Sequence, residues 1–452
     1  MNWYSKPKRS VGIPTSMEMS SCAVVFIFFS TIISSCFASD WTAQVGAGVS
    51  QSDNFSRVEA NPDSQTSTDA SIAINGTQKG ARYDASMASN LAYVRRTGGT
   101  SSEVQGALIG SLEYKPITDR LSVSINDTFG QYLDSTNQPV QVVDNPNNRH
   151  AYNILSVGPD LQIPISNRVK FSYNSRWIKS LYEHSPYDSD RLQMDARMYY
   201  ALSSYSSIYV GLTNGKIEFD GYTDSQSSYR ITETSAGFST KSSKGEFNLS
   251  LGKTSLKHDH SNGDPSSLMR ASIAQNLNKT MRLLFNAGVT YEDPSSGFVL
   301  NQGLYGVNSG ALAQPFSNDA YKYHYADVGL SLNSAKMTML GTVNYNRTFY
   351  DSQTQLNSNH RSLRVYIARQ VSQKLGISLN AELGKRTFVV NDSDYTDWSA
   401  GWGLVWHFNA KLAANFGYAH YEGLQNQNSV SSQPYSYKEN RANLRLVYSI
   451  IR

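Results

Sequence analysis

The chain has 452 residues, of which 39% are hydrophobic and 17% charged, and its formal net charge is +4. This composition is too polar for a bundle of membrane-spanning helices, and its singly scattered basic residues exclude the clustered basic surface of a nucleic-acid-binding protein. The 29 Tyr and 31 Gly residues, set against 13 Pro, favour strands and turns over helices.

The N-terminal segment has the features of a secretory signal peptide. Basic residues precede the apolar run 23–33, and small residues follow it as far as Ala38. The run is about half of the roughly 20 residues that a spanning helix requires. We therefore predict a signal peptide over residues 1–38, with lipidation of Cys36 as the alternative. Because Cys22 and Cys36 both lie in this segment, we expect no disulfide and no thiolate metal site in the exported chain.

From residue 39 onward, apolar and polar residues alternate with a period of two. This period indicates β-strands, because successive side chains of a strand point to opposite faces, and helical periodicity is absent. The pattern gives about 18–20 strands. Examples are the segments 168–177, 191–202, 281–292, 375–390 and 397–408.

The connections between these segments alternate between short and long. Tight ones such as 115–120 and 277–280 interleave with polar ones such as 136–148, and the longest is 293–319. Short periplasmic turns and long extracellular loops are typical of outer-membrane barrels. We predict an all-β, transmembrane antiparallel β-barrel of the outer membrane over residues 39–452, in a Gram-negative cell. We also predict that the loop 293–319 folds inward and constricts the pore.

The chain ends on an alternating strand. Leu444, Leu446, Tyr448 and Ile450 are apolar, whereas polar residues lie between most of them. An open sheet edge is not tolerated in lipid, so the last strand is predicted to pair with the first. The same strand is expected to be recognised by the barrel assembly machinery.

Aromatic residues gather near the predicted strand ends. Trp398 and Tyr395 lie near one end, and Tyr321, Tyr323 and Tyr325 adjoin the loop 293–319. Such residues often form girdles at the two membrane surfaces, and we expect these to do so. The girdles, together with the lack of a fixed internal repeat, favour a membrane barrel over a soluble β-sandwich or β-solenoid.

The predicted inner face carries more basic than acidic residues. A lining of this kind favours an anionic solute, although the arginines would also be explained if they only pair with carboxylates across the wall. Tyr199 and Tyr366 are predicted to face inward, where they could stack on sugar rings. The residues predicted to line the substrate path are Arg82, Lys170, Arg176, Arg197, Arg270, Arg282, Arg364, Glu382, Arg386 and Arg445.

No enzymatic motif accompanies this pattern. The 8 His residues occur in neither a GxSxG nor an HExxH context, and the HDH triplet at 258–260 has no further ligands near it in the sequence. We therefore predict a protein that is not an enzyme and that needs neither a cofactor nor a metal.

The segments WTAQVGAGVSQSDNFSRV (41–58) and YKENRANLRLVYS (437–449) give the chain a family resemblance. It resembles the β-barrel porins found with exopolysaccharide biosynthesis operons, the EpsL-like outer-membrane proteins. The resemblance implies a passive conduit that exports an exopolysaccharide with periplasmic polysaccharide-secretion proteins as partners. The alternatives are a general or specific diffusion porin and a structural or adhesive surface barrel.

Overall fold

The computed structural model describes residues 39–59, 61–97, 102–133, 149–183, 188–220, 228–258, 265–292, 320–350, 353–390, 393–427 and 436–451. These residues form one 20-stranded antiparallel sheet and a short 3-10 helix, Thr354–Leu356. The strands are β1 Ser39–Ser52, β2 Gln65–Lys79, β3 Tyr83–Arg96, β4 Glu103–Ile117, β5 Leu121–Leu133, β6 Arg149–Pro164, β7 Val169–Tyr182, β8 Ser189–Ala201, β9 Ser206–Phe219, β10 Tyr229–Ser242, β11 Gly245–His258, β12 Ser266–Asn276, β13 Met281–Glu292, β14 Tyr321–Asn333, β15 Met337–Tyr350, β16 Ser358–Gln370, β17 Leu375–Phe388, β18 Ser393–His407, β19 Leu412–Gln427 and β20 Ser436–Ile451.

The sheet closes on itself. Each strand pairs with its neighbours in the sequence, and β20 pairs with β1 in a register that places Leu446 opposite Ala47 and Leu444 opposite Val49. Closure leaves no strand edge with unpaired backbone groups. The predicted fold is therefore confirmed, with a strand number at the upper end of the predicted range.

The two faces of the wall differ in chemistry. At mid-height, a row of directly opposed apolar residues crosses β14 to β18 on the outer face: Val328, Val343, Leu363, Leu383 and Trp398, each 38–54% exposed. The neighbouring inner row consists of Asp327, Asn344, Ser362, Gly384 and Asp397. An apolar outer band and a polar inner wall are the arrangement that a barrel in lipid requires.

We expect a charge on the outer row to destabilise the barrel strongly. Val343→Arg should cost about 2–4 kcal/mol of unfolding free energy, because the guanidinium would face the bilayer near its midplane. Asn344→Arg, one residue further along β15, faces inward and should change stability little. Urea unfolding in lipid vesicles, followed by tryptophan fluorescence, measures both. Equal losses for the two variants would mean that the assignment of the faces is wrong.

The connections that follow the even-numbered strands β2 to β18 are two to four residues long and lie at one end of the barrel, and several are stabilised by their own side chains. Asn278 Oδ1 accepts hydrogen bonds from the backbone N–H groups of Thr280 and Met281, both at 2.8 Å. Asn409 accepts in the same way from Lys411 and Leu412 at 2.8 and 2.9 Å. Asn at these positions closes a tight turn by replacing a backbone acceptor. This end corresponds to the predicted periplasmic turns.

One prediction about the aromatic girdles is wrong. Tyr321 is 1% and Tyr395 7% exposed, whereas a side chain on the lipid face would be open in a barrel without lipid. Tyr323 lies opposite Thr348 and Tyr325 opposite Asn346, on the inner face. These tyrosines therefore point into the barrel, because each occupies the inward parity of its strand. Trp398, 38% exposed, does face outward.

Some predictions fall outside the described residues. The signal peptide 1–38, the possible lipidation at Cys36 and the loop 293–319 all lie there. In the part of the chain that is described, no helix is long and apolar enough to cross a membrane.

Candidate functional site

The residues predicted to line the substrate path lie on the inner face of the wall, with one exception. Arg82 is exposed in the turn between β2 and β3, so its predicted position on the wall is wrong. Arg82 is the last residue of the turn, because β3 begins at Tyr83 and Asp84 is its second residue. Whether the other residues form a path for a substrate remains a prediction.

Most of the inner arginines are neutralised by carboxylates. Arg364 binds Glu382 through two hydrogen bonds of 2.7 and 3.1 Å, and Arg270 binds Glu233 through two of 2.8 and 2.9 Å. Such two-point pairs hold both charges in a fixed geometry. The lining is therefore close to charge-balanced, in contrast to the basic lining that the sequence predicted. The ion pairs, with separations of 2.5–3.0 Å, are Arg176–Asp160, Arg197–Asp195, Arg270–Glu233, Arg364–Glu382 and Arg445–Asp69.

The remaining predicted residues have other surroundings. Lys170 Nζ lies 5.2 Å from the centre of the Tyr199 ring and 3.4 Å from Gln162 Oε1. Arg282 is exposed near the β12–β13 turn. Tyr366 lies opposite Asn380 on the inner face and is 40% exposed. Lys170 thus occupies the face of Tyr199 on which a sugar was expected to stack, whereas the Tyr366 side chain is open.

A tyrosine belt surrounds the inner wall at the end opposite to the short turns. Each of its members faces inward within four residues of that end of its strand and is 1–7% exposed, so this level of the lumen is tightly packed. Tyr321 and Tyr350 are in ring contact at a centroid distance of 5.1 Å. The belt comprises Tyr152, Tyr182, Tyr229, Tyr321, Tyr350, Tyr395 and Tyr437.

The connection between β1 and β2 sends one arginine into this belt. Arg57 has a positive φ of 51°, and its side chain is 2% exposed. Its Nε lies 2.7 Å from Glu439 Oε2, and its guanidinium packs over the rings of Tyr421 and Tyr437 at 4.7 and 5.3 Å. The burial of Arg57 lowers the pKa of its guanidinium, but Tyr437 and Glu439 raise it by more, so this group stays charged.

Glu439 is the centre of a buried group that consists of Ser52, Arg57, Glu439 and Arg441, which we call the Arg57 cluster. It is fully buried and also accepts hydrogen bonds from Ser52 Oγ at 2.8 Å and from Arg441 Nε at 3.0 Å. A buried carboxylate is tolerated only when its oxygens are satisfied in this way. Because Ser52 is on β1 and Glu439 on β20, the Arg57 cluster fastens the closing seam of the barrel.

The start of β14 also reaches into the lumen. Ala320, immediately before β14, is fully buried in an apolar cluster with Ile217, Tyr229 and Leu256 of β9, β10 and β11. Since β12 and β13 separate β11 from β14 in the wall, this contact is made on the inner side. The extracellular end of the lumen is therefore covered, by the tyrosine belt, the Arg57 cluster and the residue that precedes β14.

Sequence reasoning did not find the Arg57 cluster. The alternation in β20 does place Glu439 and Arg441 on the same face as Arg445, so the pattern could have revealed them. Arg57, however, lies in a connection without periodicity, and only the folded loop brings it to the inner wall.

Comparisons with known proteins agree with the fold. No protein-family model matches the chain, and no curated protein is similar to it. The siderophore receptor PirA from Acinetobacter baumannii is similar in structure, with a TM-score of 0.51 and 9% identity over 92% of this chain and 81% of that one. The ferric enterobactin receptor PfeA from Pseudomonas aeruginosa gives a TM-score of 0.47 and 12% identity over 90% and 81%. The FrpB iron transporter from Neisseria meningitidis gives 0.45 and 9% over 91% and 81%.

These comparisons correct the family resemblance. No exopolysaccharide-porin family model matches, and the solved structure with a TM-score of 0.51 is a siderophore receptor. The predicted export conduit, its exopolysaccharide and its polysaccharide-secretion partners are therefore wrong. The likeness to PirA is one of fold, and it agrees with the predicted outer-membrane β-barrel.

Proposed function

We propose that the barrel transports a water-soluble ligand across the outer membrane through its own lumen, with access controlled at the covered extracellular end. The observation that carries this proposal is the polar inner face of the wall, which on β16 continues from one end of the strand to the other. On β16 the inner residues run Ser358, His360, Ser362, Arg364 and Tyr366, and each lies opposite a polar residue or Gly on at least one neighbouring strand. A polar inner face of this kind is suited to a water-filled lumen.

Other roles fit less well. Free diffusion through a permanently open pore fits only in part, because the tyrosine belt and the Arg57 cluster cover the extracellular end. A barrel with a purely structural or adhesive role has no need of a charged and hydrated interior. PirA, a siderophore receptor of similar fold, supports a role in ligand transport without identifying the ligand.

The charge-balanced lining makes a prediction about ion selectivity. The wild-type barrel is expected to show little preference between cations and anions. The double variant Asp160→Asn/Glu382→Gln leaves Arg176 and Arg364 uncompensated, so it should become anion-selective. The reversal potential across a planar bilayer with a KCl gradient measures this shift.

The control for the double variant is a carboxylate on the outer face of the wall. Asp190 pairs with Lys179 on the outer face, so Asp190→Asn should leave the reversal potential unchanged. If the double variant keeps the wild-type potential, Arg176 and Arg364 do not line the conducting path. If neither the wild type nor a variant without the loop 293–319 passes current, the proposed function is wrong.

A further inference from the structure

Arg386 is a buried inner arginine whose guanidinium is not bound by a carboxylate among the described residues. Arg386, on β17, is 5% exposed, and its Nε and Nη2 atoms are buried without a hydrogen-bond partner among the described residues. Other buried inner arginines, such as Arg57 and Arg441, bind Glu439 directly. A buried guanidinium without a bound carboxylate has unmet hydrogen-bonding capacity, and this is costly unless something fills it.

The side chains around Arg386 are suited to an anion. Arg386 lies directly opposite His360 on β16 and Tyr395 on β18. The Asn346 amide nitrogen is 3.4 Å from His360 Nδ1, and since an amide NH₂ can only donate, the ring proton of His360 is assigned to Nε2. Arg386 and His360 therefore both offer N–H donors.

The nearby charged residues that the structure describes do not bind the Arg386 guanidinium directly. Asp397 is the diagonal neighbour of Arg386 and interacts with it electrostatically, but the ion pairs of the described residues do not include one between the two. The other charges that act on Asp397 are those of Arg57 and Glu382, which are paired with Glu439 and Arg364. The low local dielectric strengthens the attraction of an uncompensated positive charge for an anion.

We propose that Arg386, with His360 beside it, is the anion-binding site of the lumen and receives an oxyanion, such as a carboxylate or phosphate group, of the transported ligand. This proposal rests on the proposed transport function and adds the class of ligand. The guanidinium fork matches the spacing of two oxygens on either group. The site lies at the packed extracellular level, where an incoming ligand arrives first.

The test measures anion binding to the full chain in detergent. Isothermal titration with inorganic phosphate and, separately, with succinate shows which oxyanion binds. Arg386→Gln is expected to weaken binding of the preferred anion at least tenfold. Arg361→Gln is the matched control, because Arg361 lies next to His360 on the exposed outer face and should leave the affinity unchanged within twofold. Equal affinity in wild type and Arg386→Gln, or no binding of either anion to the wild type, overturns the site.

A second variant separates binding from a purely structural role. If Arg386 receives an anion, Asp397→Asn removes a competing carboxylate and should tighten anion binding severalfold. If Arg386 only balances Asp397, this variant destabilises the barrel and leaves binding unchanged, which contradicts the proposal. Swelling of proteoliposomes in a neutral sugar tests transport independently, so swelling without anion binding would remove the site and leave the transport function intact.

Discussion

Replacing residues 293–319 with a short Gly–Ser linker is expected to raise the single-channel conductance several-fold. The loop itself lies outside the described residues, but its exit is fixed by Ala320, which is buried on the inner side against β9, β10 and β11. Ala320, the first described residue after the loop, therefore lies on the inner side of the wall. Glu292 and Tyr321 are directly opposed at the ends of β13 and β14, so a short linker can join them without moving either strand.

The control for this replacement is an equivalent change in another connection. Exchanging residues 259–265, between β11 and β12, for the same linker should leave conductance near the wild-type value. Planar-bilayer recordings at matched salt and voltage compare the three proteins. An unchanged current after removal of residues 293–319 would show that this loop does not constrict the pore.

Arg57→Ala is expected to cost about 3 kcal/mol of unfolding free energy, because removing one partner of a buried ion pair leaves the other charge without compensation. Glu439 is fully buried and would keep only Arg441 and Ser52 as partners. The variant should also loosen the extracellular end of the β1–β20 seam, so its conductance should rise. Urea unfolding in vesicles gives the free energy, and bilayer recording gives the current.

Lys438→Ala is the matched control for Arg57→Ala. Lys438 is adjacent to Glu439, but its side chain is 70% exposed and pairs with Glu422 at 3.3 Å. An exposed ion pair contributes little, so the change should stay within about 0.5 kcal/mol. If Arg57→Ala is equally mild, the Arg57 cluster does not hold the seam.

The alternation of side chains made the barrel and most of its inner face predictable. In a strand, side chains alternate between the two faces. Because Leu383 clearly faces outward, Glu382 and Arg386, which are one and three residues away, must face inward. The prediction for Arg82 was wrong because this residue lies in the turn just before β3, where the alternation of side chains does not yet apply. The error at Tyr321 and Tyr395 arose because tyrosine suits both a membrane surface and a packed lumen, so residue type alone did not decide its face.

The charge pairing of the lumen was beyond a reading of the sequence. Arg445 on β20 binds Asp69 on β2, across the closing strand β1, and Arg270 on β12 binds Glu233 on β10. These partners meet only when strand register and barrel tilt are known, since each pair skips one strand. For the same reason, the sequence alone could not show that the Arg386 guanidinium lacks a bound carboxylate among the described residues, whereas most other inner arginines have one.

The most direct test of transport through the lumen is cysteine accessibility at two adjacent positions of β16, with Cys22 and Cys36 replaced by serine. Ser362 faces inward, whereas Leu363 faces outward in the apolar row and is 45% exposed. A charged, membrane-impermeant thiol reagent should reduce the single-channel current of Ser362→Cys and leave that of Leu363→Cys unchanged. A current that is insensitive to the reagent at Ser362→Cys, or equally sensitive at both positions, would contradict a conducting path along the inner wall.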